Sequence, residues 1–340
     1  MNNSGIILSL AYPETIVKLA TEWYSPLLRF IGLGKKGYIR AGHAALLLIN
    51  KKTGAYDYHD FGRYITTWPN GRVRSKDTDY ELDFSLKIKM VNGEIRNLKE
   101  VLHFLATNPK LTHGEGKLVA SVCDEIDYSK AKAFISELKE AYFIRYGAFL
   151  KSATNCSRFV TDTIIASTTN KKIKKRLTIT NRFTPSTVAN PILADTKGMV
   201  YEVSPEGSFS EFKSTIKGEN LKYFRDPLKE HSPNYKGNLE PKPVEGLCKN
   251  AQWLGGIGAG AWFELHRTDI KNEYRYRRIS AIGVDVDAIF KVEDETFDYD
   301  SEYQFDHYSN CNICHIRQNG NLYKFSFVKR FSLAPLERSI

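Results

Sequence analysis

Two residue types in this chain can combine into covalent chemistry: a thiol and an imidazole. Cys156 sits in Thr154-Asn155-Cys156-Ser157-Arg158-Phe159-Val160. Asn155 is a strong N-cap residue, so Cys156 falls in the first turn of a helix. The unpaired amides and the dipole there favour a thiolate, the nucleophilic form of cysteine. Phe159, Val160, Thr163 and Ile164 follow at helical spacing and turn Cys156 inward. A small buried core cysteine shows the same local pattern. His43 is what separates the two readings. It opens the apolar run Ala41-Gly42-His43-Ala44-Ala45-Leu46-Leu47-Leu48-Ile49, which reads as a buried strand. A cysteine at a helix start with a histidine on a core strand is an arrangement that thiol catalysis uses.

A third group must orient the ring. Residues 55–61 form a second strand after the turn signal Asn50-Lys51-Lys52-Thr53-Gly54, so 41–61 reads as a hairpin. On the second strand Asp57 and His59 share one face, while Tyr58 and Asp60 share the other. A turn centred near Lys51 sets His59 opposite His43; a shift by one residue sets Asp60 there instead. His59 is the first choice, Asp60 the second and Asp57 the third.

Gly42-His43-Ala44 on a strand, a polar residue on the next strand and Asn155-Cys156-x-x-Phe159-Val160 on a helix resemble circularly permuted papain-fold proteins. That group includes NlpC-type peptidase relatives and the lecithin:retinol acyltransferase-like enzymes, and in it histidine precedes cysteine. The acyltransferase branch typically carries Asn-Cys-Glu-His-Phe-Val; Ser157 and Arg158 depart from that pattern here. The resemblance covers roughly residues 5–190. It implies attack by Cys156 on an acyl or amide carbonyl, proton transfer by His43 and orientation by His59. Backbone amides near Cys156 would meet the oxyanion, each commonly worth about 2.7–4 kcal/mol. The whole chain also resembles an uncharacterised family, chiefly from Bacteroidota. That likeness rests on Gly42-His43-Ala44, Tyr58-His59-Asp60-Phe61-Gly62-Arg63-Tyr64-Ile65-Thr66, Gly71-Arg72-Val73-Arg74, Thr78-Asp79-x-Glu81-Leu82 and Cys311-x-x-Cys314-His315.

The elements that must hold these residues alternate over the first half. Strands are expected at 5–12, 41–49, 55–61, 81–90 and 118–123, and helices at 14–31, 98–106, 129–146 and 155–167. Pro/Gly/Ser punctuation marks residues 196–245 as an extended connection. Strands then run over 261–266, 274–279, 284–292, 303–308 and 322–328, with Asn319-Gly320-Asn321 as a tight turn. The fold class is therefore α+β; the resemblance implies that residues 1–195 form a permuted papain-like domain, followed by the connection at 196–245 and a small antiparallel β sandwich or barrel over 246–340.

Composition narrows the function classes. Of 340 residues, 42% are hydrophobic and 26% charged, so the chain can bury a core and wholesale disorder is excluded. No apolar run approaches the ~18 residues of a membrane span. The patch at residues 5–12 lacks a basic leader and reads as a strand, which implies a cytoplasmic protein. Five cysteines without an export signal imply free thiols. Residues 1–190 hold 29 Lys+Arg against 17 Asp+Glu, or +12; the remainder holds 20 against 22, or −2. A basic first half suits an ordinary solvated surface before nucleic acid, anionic lipid or an acidic substrate. Arg63, Arg72 and Arg74 are candidates either to grip an acidic substrate or to pair with Asp77, Asp79 and Glu81 within their own loop. Lys171-Lys172-Ile173-Lys174-Lys175-Arg176 lacks interleaved aromatics, so it reads as a solvated helix end rather than a nucleic-acid site; transient contact with anionic lipid is compatible with it.

Cys311-Asn312-Ile313-Cys314-His315 has haem-attachment spacing, but that chemistry needs export. A zinc site on Cys311, Cys314 and His315 would need Cys248 or His307 as a fourth ligand and stays a minority reading. The glycines of Ala251 to Trp262 lack the Gly-Lys-Ser/Thr of a phosphate loop and suit turns. The expected function is a cysteine hydrolase of amide or peptide bonds that needs no cofactor. An acyltransferase or deacylase acting on lipid or thioester is the first alternative, and a non-catalytic binding module is the second. No feature assigns an oligomeric state.

Overall fold

The computed structural model describes residues 3–20, 37–228, 241, 244–281 and 283–331. The chain divides into two compact units. The first comprises Met1–Gly62, Pro69–Arg74 and Phe84–Asn234; the second comprises Arg63–Trp68, Ser75–Asp83 and Tyr235–Ile340.

The first unit is built on an eight-stranded sheet. In chain order its strands are β1 (Gly5–Tyr12), β2 (His43–Asn50), β3 (Tyr56–Gly62), β4 (Asn70–Arg74), β5 (Leu118–Ile126), β6 (Ile144–Arg145), β7 (Tyr201–Val203) and β8 (Phe209–Glu211). Their spatial order is β6-β4-β3-β2-β1-β5-β7-β8, and every pairing is antiparallel. β1 and β2 are apolar on both faces because both faces are covered, which is why alternation is missing from their sequences. Besides the one-turn helix Pro109–Thr112, the helices are α1 (Leu98–Thr107), α2 (Tyr128–Glu140), α3 (Cys156–Ser167), α4 (Lys171–Thr180), α5 (Ala189–Ala194) and α6 (Ile216–Phe224). Phe159, Val160 and Ile164 of α3 pack with Ala44, Leu46 and Leu48 of β2 and Phe61 of β3. Phe61 and Phe159 stack at 6.4 Å between ring centroids. Gly71 lets that aromatic layer close, since a Cβ there would fall 2.7 Å from Phe61.

Several elements differ from the sequence reading. Ile16–Lys18 is a strand paired with Tyr38–Arg40, not the start of a helix; residues 21–31 of that expected helix lie outside the described residues. The expected strand over 81–90 is a single 3-10 turn at Tyr80–Leu82 and a short Met90–Val91 strand. Helix α2 stops at Glu140 because Ile144 and Arg145 pair with Gly71 and Asn70 at the sheet edge. Residues 201–224, expected as part of a connection, carry β7, β8 and α6 within the first unit. Ser232-Pro233-Asn234 and Lys242-Pro243 lie outside the described residues.

The second unit is a seven-stranded antiparallel sheet: β9 (Gln252–Gly255), β10 (Gly260–Arg267), β11 (Glu273–Ser280), β12 (Gly283–Val292), β13 (Gln304–Phe305), β14 (Ile313–Gln318) and β15 (Asn321–Arg330). Its order is β9-β10-β11-β12-β15-β14-β13. The two edge strands nearly close a barrel, because the Gln252 side chain donates to Tyr303 O at 2.9 Å and accepts from Phe305 N at 2.9 Å. Asn319 (φ 50°) and Gly320 (φ 81°) make the tight turn expected between β14 and β15. Phe263, Tyr276, Phe290, Phe305 and Phe325 fill the interior, joined by Ile65 from the Arg63–Trp68 segment. Among the described residues no helix is long and apolar enough to cross a membrane.

Gly42 sets the entry to β2. Its φ is +79°, and a Cβ there would lie 2.6 Å from Thr187 Oγ1 and 3.0 Å from Tyr12 O. Gly42→Ala is expected to lower stability by about 1–2 kcal/mol, the usual penalty for an L-residue in this region. Urea unfolding of the two proteins checks this.

Candidate active site

β1 and β2 pair so that Tyr12 stands level with His43. The rings stack with centroids 6.4 Å apart and planes at 22°. Tyr12 is anchored by its hydroxyl, which donates to Leu105 O at 3.1 Å. Its outer face abuts Gly114, where a Cβ would come within 2.1 Å of the ring. His43 is thus held flat at the strand start.

The carboxylate facing His43 is Asp60, not His59. The loop after Asn50 is longer than a turn centred on Lys51, with Gly54 N–H donating to Asn50 O and Asn50 N–H to Ala55 O. The register becomes Ala45↔Asp60 and Leu46↔His59. Alternation then places Asp60 on the face of Ala45 and His43, and His59 on the face of Ala44 and Leu46. Asp57 pairs across from Leu48 and shares the His59 face. His43 Nε2 lies 3.2 Å from Asp60 Oδ2. The Cys156 thiol stands close enough to the ring to help raise the His43 pKa.

Asp60 is wholly buried and is held as an anion by Arg74 on the adjacent strand. Arg74 Nε donates to Oδ1 at 3.0 Å and its terminal nitrogen to Oδ2 at 2.6 Å. Burial alone would raise the Asp60 pKa; the Arg74 charge and the bonds from His43 and Arg74 outweigh it and hold the carboxyl well below its usual range. Burial alone would lower His43; the bonds and charges of Asp60 and Cys156 win and lift it from 6.5 to about 9. The imidazole therefore carries its proton at neutral pH.

Helix α3 starts at Cys156 because Asn155 caps it: φ is −148°, and Oδ1 accepts from Arg158 N at 2.9 Å. Phe159 N–H bonds Asn155 O. The amides of Cys156 and Ser157 have no partner among the described residues, so they are available to a developing oxyanion. Arg158 ties the preceding loop to the helix by donating to Ala148, Leu150 and Ala153 carbonyls at 2.7, 3.0 and 2.7 Å. Ser157 is bound by Asn190, which Thr161 also engages. The two residues that depart from the acyltransferase motif thus have structural partners.

The three arginines expected to grip substrate have different surroundings. Arg74 is fully buried on Asp60. Arg72 pairs level with Gly62 and is nearly buried. Arg63 belongs to the second unit, where its guanidinium lies 5.7 Å from the Trp68 ring centroid. The basic run 171–176 forms its own helix, capped by Asn170, with Ile173 and Leu177 turned inward.

Cys311, Cys314 and His315 do not converge. Cys311 accepts from Arg278 at 2.8 Å and from Tyr80 N at 3.4 Å. Cys314 lies in the apolar core, and His315, the next residue of β14, faces Tyr308. Adjacent strand residues point to opposite faces, which is why this spacing fails as a chelate here. All five cysteines are free thiols.

Residues 7–173 match the model of the Type VI secretion system effector TseH-like family, and residues 251–328 match that of the DUF6695 C-terminal domain. Among solved structures, the crystal structure of the Type VI secretion system effector TseH is similar at 16% identity. That match covers 63% of this chain and 100% of that one, with a TM-score of 0.41. No curated protein matches the chain.

His43 has a folded-state pKa above its unfolded value, so its contribution to stability is complete below about pH 6.5 and is lost as pH rises through about 9. An NMR titration of the ring is expected to give a midpoint near 9. In Asp60→Asn/Arg74→Met, which removes the pair without stranding a buried arginine, the midpoint falls to the usual histidine range or below it.

Proposed function

We propose that this protein is a cysteine-dependent hydrolase of amide or peptide bonds on a permuted papain-like first unit. The observation that carries this reading is one imidazole bonded to a buried carboxylate and standing beside a thiol at a helix start. Cys156 is the nucleophile, His43 the acid and base, and Asp60 the group that orients and charges the ring. The match of residues 7–173 to an effector family supports an effector role for the same half.

The reaction follows from the protonation state. Sγ of Cys156 attacks the carbonyl carbon, and the carbonyl oxygen takes up charge facing the Cys156 and Ser157 amides. The C–N bond breaks as His43 gives its proton to the leaving amine. Water then attacks the thioester, His43 takes a proton from it, and the acid leaves with Sγ restored. Asp60 stays ionised throughout because Arg74 remains on it.

Cys156→Ala is expected to abolish turnover while leaving the unfolding transition in place. Iodoacetamide is expected to label Cys156 selectively, and His43→Ala to suppress that labelling. Peptide, peptidoglycan and phospholipid pools, followed by mass analysis of Cys156, identify the acyl group. An adduct from peptide or peptidoglycan supports the hydrolase, and one from phospholipid supports acyl transfer. Full activity of Cys156→Ala would falsify both; no adduct and no selective labelling leaves a binding module.

A further inference from the structure

The second unit holds a different group of donors that the Cys156 chemistry does not use. Glu264 and His266 stand two residues apart on β10 and so share a face. Cys248, just ahead of β9, is brought to them by its own backbone, whose N–H donates to Glu264 Oε1 at 2.7 Å. The Cys248 thiol, a Glu264 oxygen and a His266 ring nitrogen all lie within 4.8 Å of one another.

We propose that Cys248, Glu264 and His266 form a binding site for a zinc-class divalent ion, with its fourth position open to water. Thiolate, imidazole and carboxylate are the donors this borderline ion takes, and three protein ligands plus a solvent position is a common tetrahedral set.

The surroundings define what loading requires. The Glu264 side chain is fully buried, and Oε2 accepts from Arg277 at 2.6 Å and lies 3.1 Å from His266 Nε2. Two carboxylate oxygens offer about four acceptor positions. Three are used here, and the His266 bond is released when Nε2 turns to the ion. Arg277 and its neighbour Arg275 are balanced by Glu264 and Asp287. An added dication therefore needs a new negative charge, which Cys248 supplies by releasing one proton to solvent. Access is available. Cys248 alone among the five cysteines is not buried, and His266 is partly exposed. Lys249, the residue after Cys248, lines a cavity of about 960 Å³ together with Tyr299 and Tyr303.

The test uses the full chain, stripped with EDTA and carrying Cys156→Ser so that the candidate nucleophile cannot compete for the ion; Cys123, the other thiol of the first unit, is fully buried. Cobalt(II) titration is expected to give a sulfur-to-cobalt charge-transfer band with tetrahedral d–d bands, saturating at one equivalent and bleached by zinc. Cys248→Ser is expected to remove the charge-transfer band. The unmutated chain gives a second measurement: zinc should slow alkylation of Cys248 about tenfold or more, with EDTA reversing it. A charge-transfer band that persists in Cys248→Ser, or no such band together with unprotected Cys248, overturns the site.

Discussion

Asp60 is a carboxylate with no exposed surface, and Arg74 on the neighbouring strand holds it charged there through two short hydrogen bonds. Removing one member of such a pair usually costs about 3–5 kcal/mol, because the other charge is left buried and alone. The geometry downstream inherits this constraint. A fixed anion on β3 sets which way the His43 ring faces and keeps its proton on. Tyr12 contributes shape rather than charge by holding the ring flat against the sheet.

The helix side of the site is organised by backbone instead. Asn155 caps α3 and also donates to Gly147 O, so one side chain fixes both the helix start and the loop leading to it. Arg158 closes the same loop through three carbonyls. A thiol placed this way has little freedom to drift from the imidazole, which is the condition for efficient proton transfer between them.

Cys156, His43 and the cap were legible in the sequence because each is a local signal: a capping residue before a helical pattern, and a histidine opening an apolar run. The orienting group was less so. His59 and Asp60 are adjacent, and only the hairpin register separates them; a few loop residues between Asn50 and Tyr56 decide which face each takes. Arg74 was visible as a charge but not as a partner, since its role depends on strand pairing across the Gly62 to Asn70 segment. The second unit was read from its long strands and from 303–308, which holds β13, while β9 and β14 were obscured by glycine turns and short pairings. Cys311-x-x-Cys314-His315 stayed a minority reading, and spacing that suits a loop chelate is threaded into a strand here.

Residues 63–68 and 75–83 belong to the second unit although the first unit's Phe84–Asn234 separates them from β9. On the ribosome this imposes a schedule. At roughly 5–20 residues per second, these two segments would emerge about 10–30 s before the strands that complete their unit. Ile65, destined for the aromatic interior of that barrel, would have to wait in solvent or in temporary company. The buried pair on β3 and β4 brackets the first segment in the chain and precedes the second. A nascent-chain chaperone would find its longest exposure there.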